Sequence, residues 1–164
     1  MALPTPAPLG ASSRYFVAGT RQVSWVPTIA NINSPTSAEL SAGTDLTGQI
    51  GAIAGFDESV NFVAAPDMGS RYEPQIAGRI QSQNSSISFY ASSNSSDVRN
   101  LLTLNLAGYI VIYTEGIATG NKMNVFPVTV GSVAPDPNME AVALILVSFG
   151  ITKQPVFYAA IPTV

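Results

Sequence analysis

Ser85-Ser86-Ile87-Ser88-Phe89-Tyr90-Ala91 alternates small polar with large apolar side chains. Ile87 and Phe89 fall on one face, and Ser86, Ser88 and Tyr90 on the other. A period of two marks a β-strand with one face in a core and one in water. The same logic applied outward finds a strand from Arg21 to Val26, where Val23 and Trp25 oppose Gln22, Ser24 and Val26 until Pro27 closes the run. Tyr109 to Thr114 is apolar on both faces, as in a central strand. Met123 to Val130 returns, with Pro127 expected at an edge or bulge because it has no N–H to give a ladder. Asp136 and Pro137 break that strand. Ala141 to Ile151 is the longest apolar strand, and Val156 to Ile161 is the last, at an edge.

Helical signals are sparse. Thr36-Ser37-Ala38-Glu39 has capping-box spacing, but Gly43 leaves room only for a short turn. Asn94-Ser95-Ser96-Asp97 offers N-cap side chains, and Val98, Leu101, Leu102 and Leu104 follow at helical spacing, which predicts the main helix over 97–105, ended by Gly108. Gly116 and Gly120 turn the chain. Ala52 to Val63 reads as one alternating strand, with Phe56, Glu58, Val60 and Phe62 toward the core and Asp57, Ser59 and Asn61 toward water. Ala64 to Ser82 loses periodicity around Pro66, Gly69, Pro74 and Gly78, which predicts a long inter-strand loop. Pro4, Pro6, Pro8 and Gly10 favour an extended arm. The expected organisation is an N-terminal arm (1–20) and one domain (21–164), mainly β, a sandwich or barrel with one flanking helix.

Only 10% of the residues are charged and 46% are hydrophobic, against about 25% charged in ordinary soluble proteins. So neutral a surface favours association. The net charge is −3 with seven Lys plus Arg and no basic run, so the electrostatic footprint of a nucleic-acid binder is missing and DNA should pass without sticking. There is no histidine or cysteine, which removes the usual general base, the nucleophile triads built on it, disulfides and thiolate chemistry. The carboxylates lack calcium-loop spacing, and Asp57 and Glu58, adjacent on a strand, point to opposite faces. No phosphate loop opens a helix. The expectation is a protein without catalysis, cofactor or metal. The strongly apolar stretch Ala141 to Val147 falls far short of the roughly 20 residues of a membrane helix. The first residues lack the basic start and apolar stretch of a signal peptide, so synthesis in the cytoplasm is expected.

Gly43-Thr44-Asp45-Leu46-Thr47, Ile53-Ala54-Gly55-Phe56, Pro66-Asp67-Met68-Gly69-Ser70-Arg71-Tyr72 and Gly78-Arg79-Ile80 occur in that order. Ser85 to Ser92 leading into Ser96 to Leu102 follows, then Val125-Phe126-Pro127-Val128 and Phe149-Gly150-Ile151-Thr152. Over residues 20–162 this pattern resembles the tail tube proteins of long-tailed bacteriophages, especially those of actinobacterial phages. The resemblance implies a β-sandwich subunit without catalytic residues, forming hexameric rings that stack into a tube whose strand-lined lumen carries genome DNA. It implies as partners the protein itself and other tail proteins (tape measure, terminator, distal tail), and a place in the virion tail. On this reading Asp67, Arg71, Tyr72 and Arg79 form an inter-subunit contact in the long loop, and Asp57, Ser59, Asn61, Ser86 and Ser88 are lumen-facing candidates. Ile80 to Ser86 departs from the pattern, carrying Gln, Ser and Asn where relatives often carry acidic residues, so a strongly acidic lumen is not implied. Two other readings share the composition. One is a different virion β-sandwich, such as a capsid decoration or baseplate subunit. The other is a carbohydrate-binding module or a glycoside-active enzyme, using exposed Trp25, Tyr72 or Tyr90.

Overall fold

The structure is a computed structural model, and it describes residues 19–92, 97–135 and 142–163. The arm through residue 18, the capping residues Asn94 to Ser96, and Asp136, Pro137 and Ala141 lie outside the described residues. Ten strands carry the fold: β1 (Gln22–Val26), β2 (Thr44–Asp45), β3 (Ile50–Ala54), β4 (Glu58–Ala64), β5 (Gln75–Ser82), β6 (Ser85–Tyr90), β7 (Ala107–Tyr113), β8 (Lys122–Pro135), β9 (Leu144–Ile151) and β10 (Val156–Ala160). The helices are short, α1 (Ser37–Ser41) and α2 (Val98–Leu101), with a 3-10 turn over Thr47–Gln49.

Eight strands form one antiparallel sheet in the order β2-β1-β7-β8-β9-β6-β3, with β10 also pairing β8. The sheet closes over itself along β8, whose first half lies between β7 and β10 and whose second half pairs β9 from Val128 onward, with a bulge between Val130 and Ser132. Val23, Trp25, Ile110, Phe126 and Val128 from one layer thereby meet Ile87, Phe89, Ile145, Val147 and Phe149 from the other in the main core. The far side of β1, β7 and β8 is also covered. There Val26, Val111, Met123 and Val125 pack with Ile29, Ala159 and Ile161 in a second cluster, joined by Leu40 of α1. Covering on both faces explains why β7 is continuously apolar.

Several local expectations hold. Glu39 N–H donates to Thr36 Oγ1 (3.3 Å) and Thr36 N–H donates to Glu39 Oε2 (2.7 Å), completing the capping box. Ile87 and Phe89 are fully buried. Trp25 lies flat over Gly108, where an added Cβ would sit 2.3 Å from the indole. Pro127 is buried inside β8 and not at an edge, yet the physical reason for the expectation survives. Its carbonyl accepts from Thr152 N–H (3.0 Å), and in a strand the N–H of the same residue faces the same side. That side is where β8 exchanges β10 for β9, so no ladder bond needs the missing donor.

Two expectations fail. The helix over 97–105 is a single turn, because after Leu102, which is buried, the chain leaves helical geometry and Asn105 takes a left-handed conformation (φ 62°) to enter β7. Gly108 is a strand residue. That turn is held by Asp97, whose carboxylate accepts from Arg99 Nε (2.8 Å), Arg99 N (2.8 Å) and Ser92 N (2.7 Å). The side-chain hydrogen bonds from Arg99 above all, helped by the two backbone donors, hold this buried carboxyl far below the ordinary aspartate range against the opposing pull of burial. The second failure concerns residues 52–82. The supposed single strand breaks at Gly55-Phe56-Asp57, and half of the supposed loop is β5, paired with β4 in a separate two-stranded ribbon.

Candidate functional site

The ribbon springs from the body at a fixed base. Gly55 has φ +76°, and a side chain there would collide with the Asn84 backbone (2.2 Å), so the base requires glycine. Ser85, fully buried, donates from Oγ to the Gly55 carbonyl (2.7 Å). Phe56 plugs into the core, its ring 5.1 Å from Phe126 edge-on and 6.1 Å from Phe149. Beyond this plug, β4 and β5 pair, among the described residues, only with each other.

A bulge sets which ribbon side chains share a face. Val60 lies opposite Ile80 but Phe62 opposite Ala77, so Gly78 and Arg79 together oppose Asn61. The register puts Val60, Phe62, Ala77 and Ile80 on one apolar face, with Glu58 and Ser82 at its base. The other face carries Ser59, Asn61, Val63, Ile76, Arg79 and Gln81. Phe62 is 59% exposed and Ile76 62% exposed. Phe62 was expected in the core; it lies in the open because, among the described residues, no second layer covers either face of this ribbon. Asp67, Arg71 and Tyr72 cluster at the exposed hairpin tip, where Gly69 N–H donates to Asp67 Oδ1 (2.8 Å). Arg79 is not in that group. It stands midway down a strand on the same face as Ser59 and Asn61, which separates the expected loop contact into two places. Asp57 is exposed in the turn that enters β4, on neither ribbon strand.

Ser86 and Ser88 lie elsewhere, on the outer face of the β3-β6-β9-β8 layer. Their rows run across four strands: Ala54, Ser86, Ser148, Ser132, and then Ala52, Ser88, Leu146, Ala134. The Ser132 and Ser148 hydroxyls hydrogen-bond across strands at 2.6 Å. With Tyr90 and Leu144 one row further, this face holds no charged side chain among the described residues. Sequence alternation marked Ser86 and Ser88 as wet but could not supply Ser132, Ser148 or the alanines, because only pairing aligns them. Among the described residues no group of three His, Cys, Asp or Glu side chains is placed to hold a metal ion. Trp25, one of the aromatic residues considered for sugar binding, is 2% exposed.

A family model described as phage tail tube protein matches residues 11–164. The chain belongs to the phage tail tube protein family. It is therefore a structural protein of the virion tail, with the mainly β fold expected of it. No curated protein matches its sequence. Solved structures share its fold at low identity. The sheath/tube terminator of the PVC extracellular contractile injection system in its extended state is 14% identical with a TM-score of 0.62, over 91% of this chain and 100% of that one. A chain from the tail of an empty GTA particle is 10% identical with a TM-score of 0.55, over 88% and 100%. A chain from the anti-feeding prophage baseplate is 10% identical with a TM-score of 0.52, over 94% and 98%.

Proposed function

We propose that this tail tube protein is the repeating subunit of a conduit for genome DNA. Hexameric rings of it stack into a tube, with the outer face of the β3-β6-β9-β8 layer turned to the lumen. The observation that carries this reading is the chemistry of that face, serine hydroxyls and alanine methyls with Leu144, Leu146 and Tyr90 among them, and among the described residues not one charge across four strands. Lys or Arg there would hold each passing phosphate by ion pairing, and every such contact would repeat around and along the tube. A wall without charge gives DNA phosphates nothing to grip. If six copies each contribute these four strands at a spacing of about 4.8 Å and a tilt of about 40°, the wall is roughly 50 Å across between backbones, which admits a DNA duplex.

The ribbon supplies the second half of the reading. Its exposed apolar face and its Arg71, Tyr72 and Arg79 are the aromatic and arginine mixture of interface anchors, so it reaches a neighbouring subunit, and the proline-rich arm (1–20) does the same. Other tail proteins cap and gauge the tube, which is built in the host cytoplasm. Electron microscopy of the purified protein tests this: the expected result is open-ended tubes with a central channel, whereas monomers at millimolar concentration, or caps that never stack, would refute it.

A further inference from the structure

The second cluster ends in an open groove. Leu40 of α1, Tyr113 of β7, Ile117 of the turn that follows, and Ile161 and Pro162 beyond β10 line it beside Gln22 of β1, around a cavity of about 240 Å³. An enclosed apolar cavity of about 150 Å³ accepts benzene, so this groove has room for an aromatic side chain. Two of the lining residues lack a partner suited to them. Ile117 is 62% exposed. Tyr113 is 5% exposed, and none of the hydrogen bonds among the described residues reaches its hydroxyl. Burial, and to a lesser degree the charge of Asp45, raise the Tyr113 pKa. The hydroxyl therefore keeps its proton and is a buried donor in need of an acceptor.

The described chain meets the body at this groove. Gln22 is itself a lining residue, a Cβ added at Gly116, next to Ile117, would sit 3.5 Å from the Thr20 carbonyl oxygen, and Gly19 bends the backbone with φ 77°. Residues 1–18 hold two aromatic side chains, Tyr15 and Phe16, followed by Val17 and Ala18. Both are within reach, because six residues span at most about 20 Å. The family match starts at residue 11, so it takes in this apolar stretch and leaves out residues 1–10 with Pro4, Pro6 and Pro8. We propose that Tyr15-Phe16-Val17 folds back on its own subunit and seats Phe16 in the groove among Leu40, Ile117, Ile161 and Pro162, with the Tyr113 hydroxyl donating to a backbone carbonyl of the segment. Residues 11–18 then belong to the body, and residues 1–10 alone reach outward. The seat fixes where the proline-rich stretch departs, which lowers the ordering cost of any contact it makes. The inference concerns a single subunit and does not depend on the tube reading.

The test uses the full-length protein before assembly. Nuclear Overhauser contacts are expected between the Phe16 ring and the methyls of Leu40 and Ile117, with amide exchange at residues 16–18 at least tenfold slower than at residues 9–12. Phe16→Ala should lower Tm by roughly 3–6 °C, and Ile117→Ser should do the same. Both changes empty one contact, so the double variant should melt little lower than either single one. Removal of residues 1–10 should leave Tm unchanged. Exchange at 16–18 as fast as at 9–12 would mean that the segment leaves the groove open, and overturns the proposal. Slowing that appears only on assembly also overturns it, because the groove then takes a neighbour's segment. Additive Tm losses overturn it as well, since Phe16 then packs away from Ile117. None of these readings requires tubes, so a failure of the tube reading is separate from a failure of this one.

Discussion

Phe56 and Phe62 sit six positions apart and separate folding from assembly. Phe56 is partly buried against Phe126 and Phe149, whereas Phe62 is 59% exposed on a ribbon that no layer covers among the described residues. A fully buried Phe→Ala change costs about 3–5 kcal/mol, and each aromatic pair contributes about 0.5–1.5 kcal/mol beyond area. Allowing for incomplete burial, Phe56→Ala should cost about 2–3 kcal/mol. In a domain of this size that lowers Tm by roughly 5–10 °C. Phe62→Ala should stay within about 0.5 kcal/mol, as exposed substitutions do, and yet weaken tube formation because it strips the ribbon's apolar face. Thermal unfolding of unassembled protein, paired with sedimentation of assembled material, reads both effects. If Phe62→Ala lowers Tm as much as Phe56→Ala, the ribbon is packed against the body and the assignment of its faces is wrong.

Gly108→Ala should destabilise by about 1–3 kcal/mol, since the new methyl would overlap the indole of buried Trp25 and force repacking; an unchanged denaturation midpoint would show that the indole can shift freely. The Asp97 carboxyl, depressed by Arg99, contributes stability that is complete above the unfolded-state pKa of about 4 and is lost as pH falls through the lower folded value. Asp97→Asn should therefore flatten the acid limb of a stability-versus-pH curve, and an identical limb in both proteins would remove Asp97 as its source. Ser88→Arg should leave tubes intact but slow genome release at low salt, with recovery as salt rises; parental release rates would take Ser88 off the DNA path. Arg71→Glu together with Arg79→Glu should leave Tm unchanged and reduce assembly, and undiminished assembly would show that neither residue meets a neighbour.

Most of the main sheet was legible because its strands bury one face, and burial writes a period of two into the sequence. β1 and β6 carry that signal, β7 shows the continuous run of a strand covered twice, and β9 was found by its apolar run although its burial alternates, Leu146 being exposed. The ribbon was misread for two physical reasons. Alternation over Ser59 to Val63 reports two faces but not whether either is covered, so Phe62 read as core. In β5, Pro74 and Gly78 read as loop signals, and the bulge at Gly78-Arg79 puts Ile76 and Ile80 on opposite faces, so Gln75 to Ser82 lacks a core face that alternation could report. The single turn of α2 was overextended because Leu104 kept helical spacing, although it is exposed and the left-handed Asn105 turns the chain. Of the candidate lumen residues, Ser86 and Ser88 fall on the neutral sheet face. Ser59 and Asn61 fall on the ribbon beside Arg79, a separation that depends on strand pairing and leaves no local trace.

The central claim is that the neutral Ala/Ser face of the β3-β6-β9-β8 layer lines a channel. A helical reconstruction by electron cryomicroscopy of assembled tubes tests it most directly. The expected map places Ala54, Ser86, Ser148 and Ser132 on the channel wall of every subunit, with the ribbon reaching into a neighbour. A tube in which that face points outward or is buried between subunits, with charged side chains lining the channel instead, would contradict it.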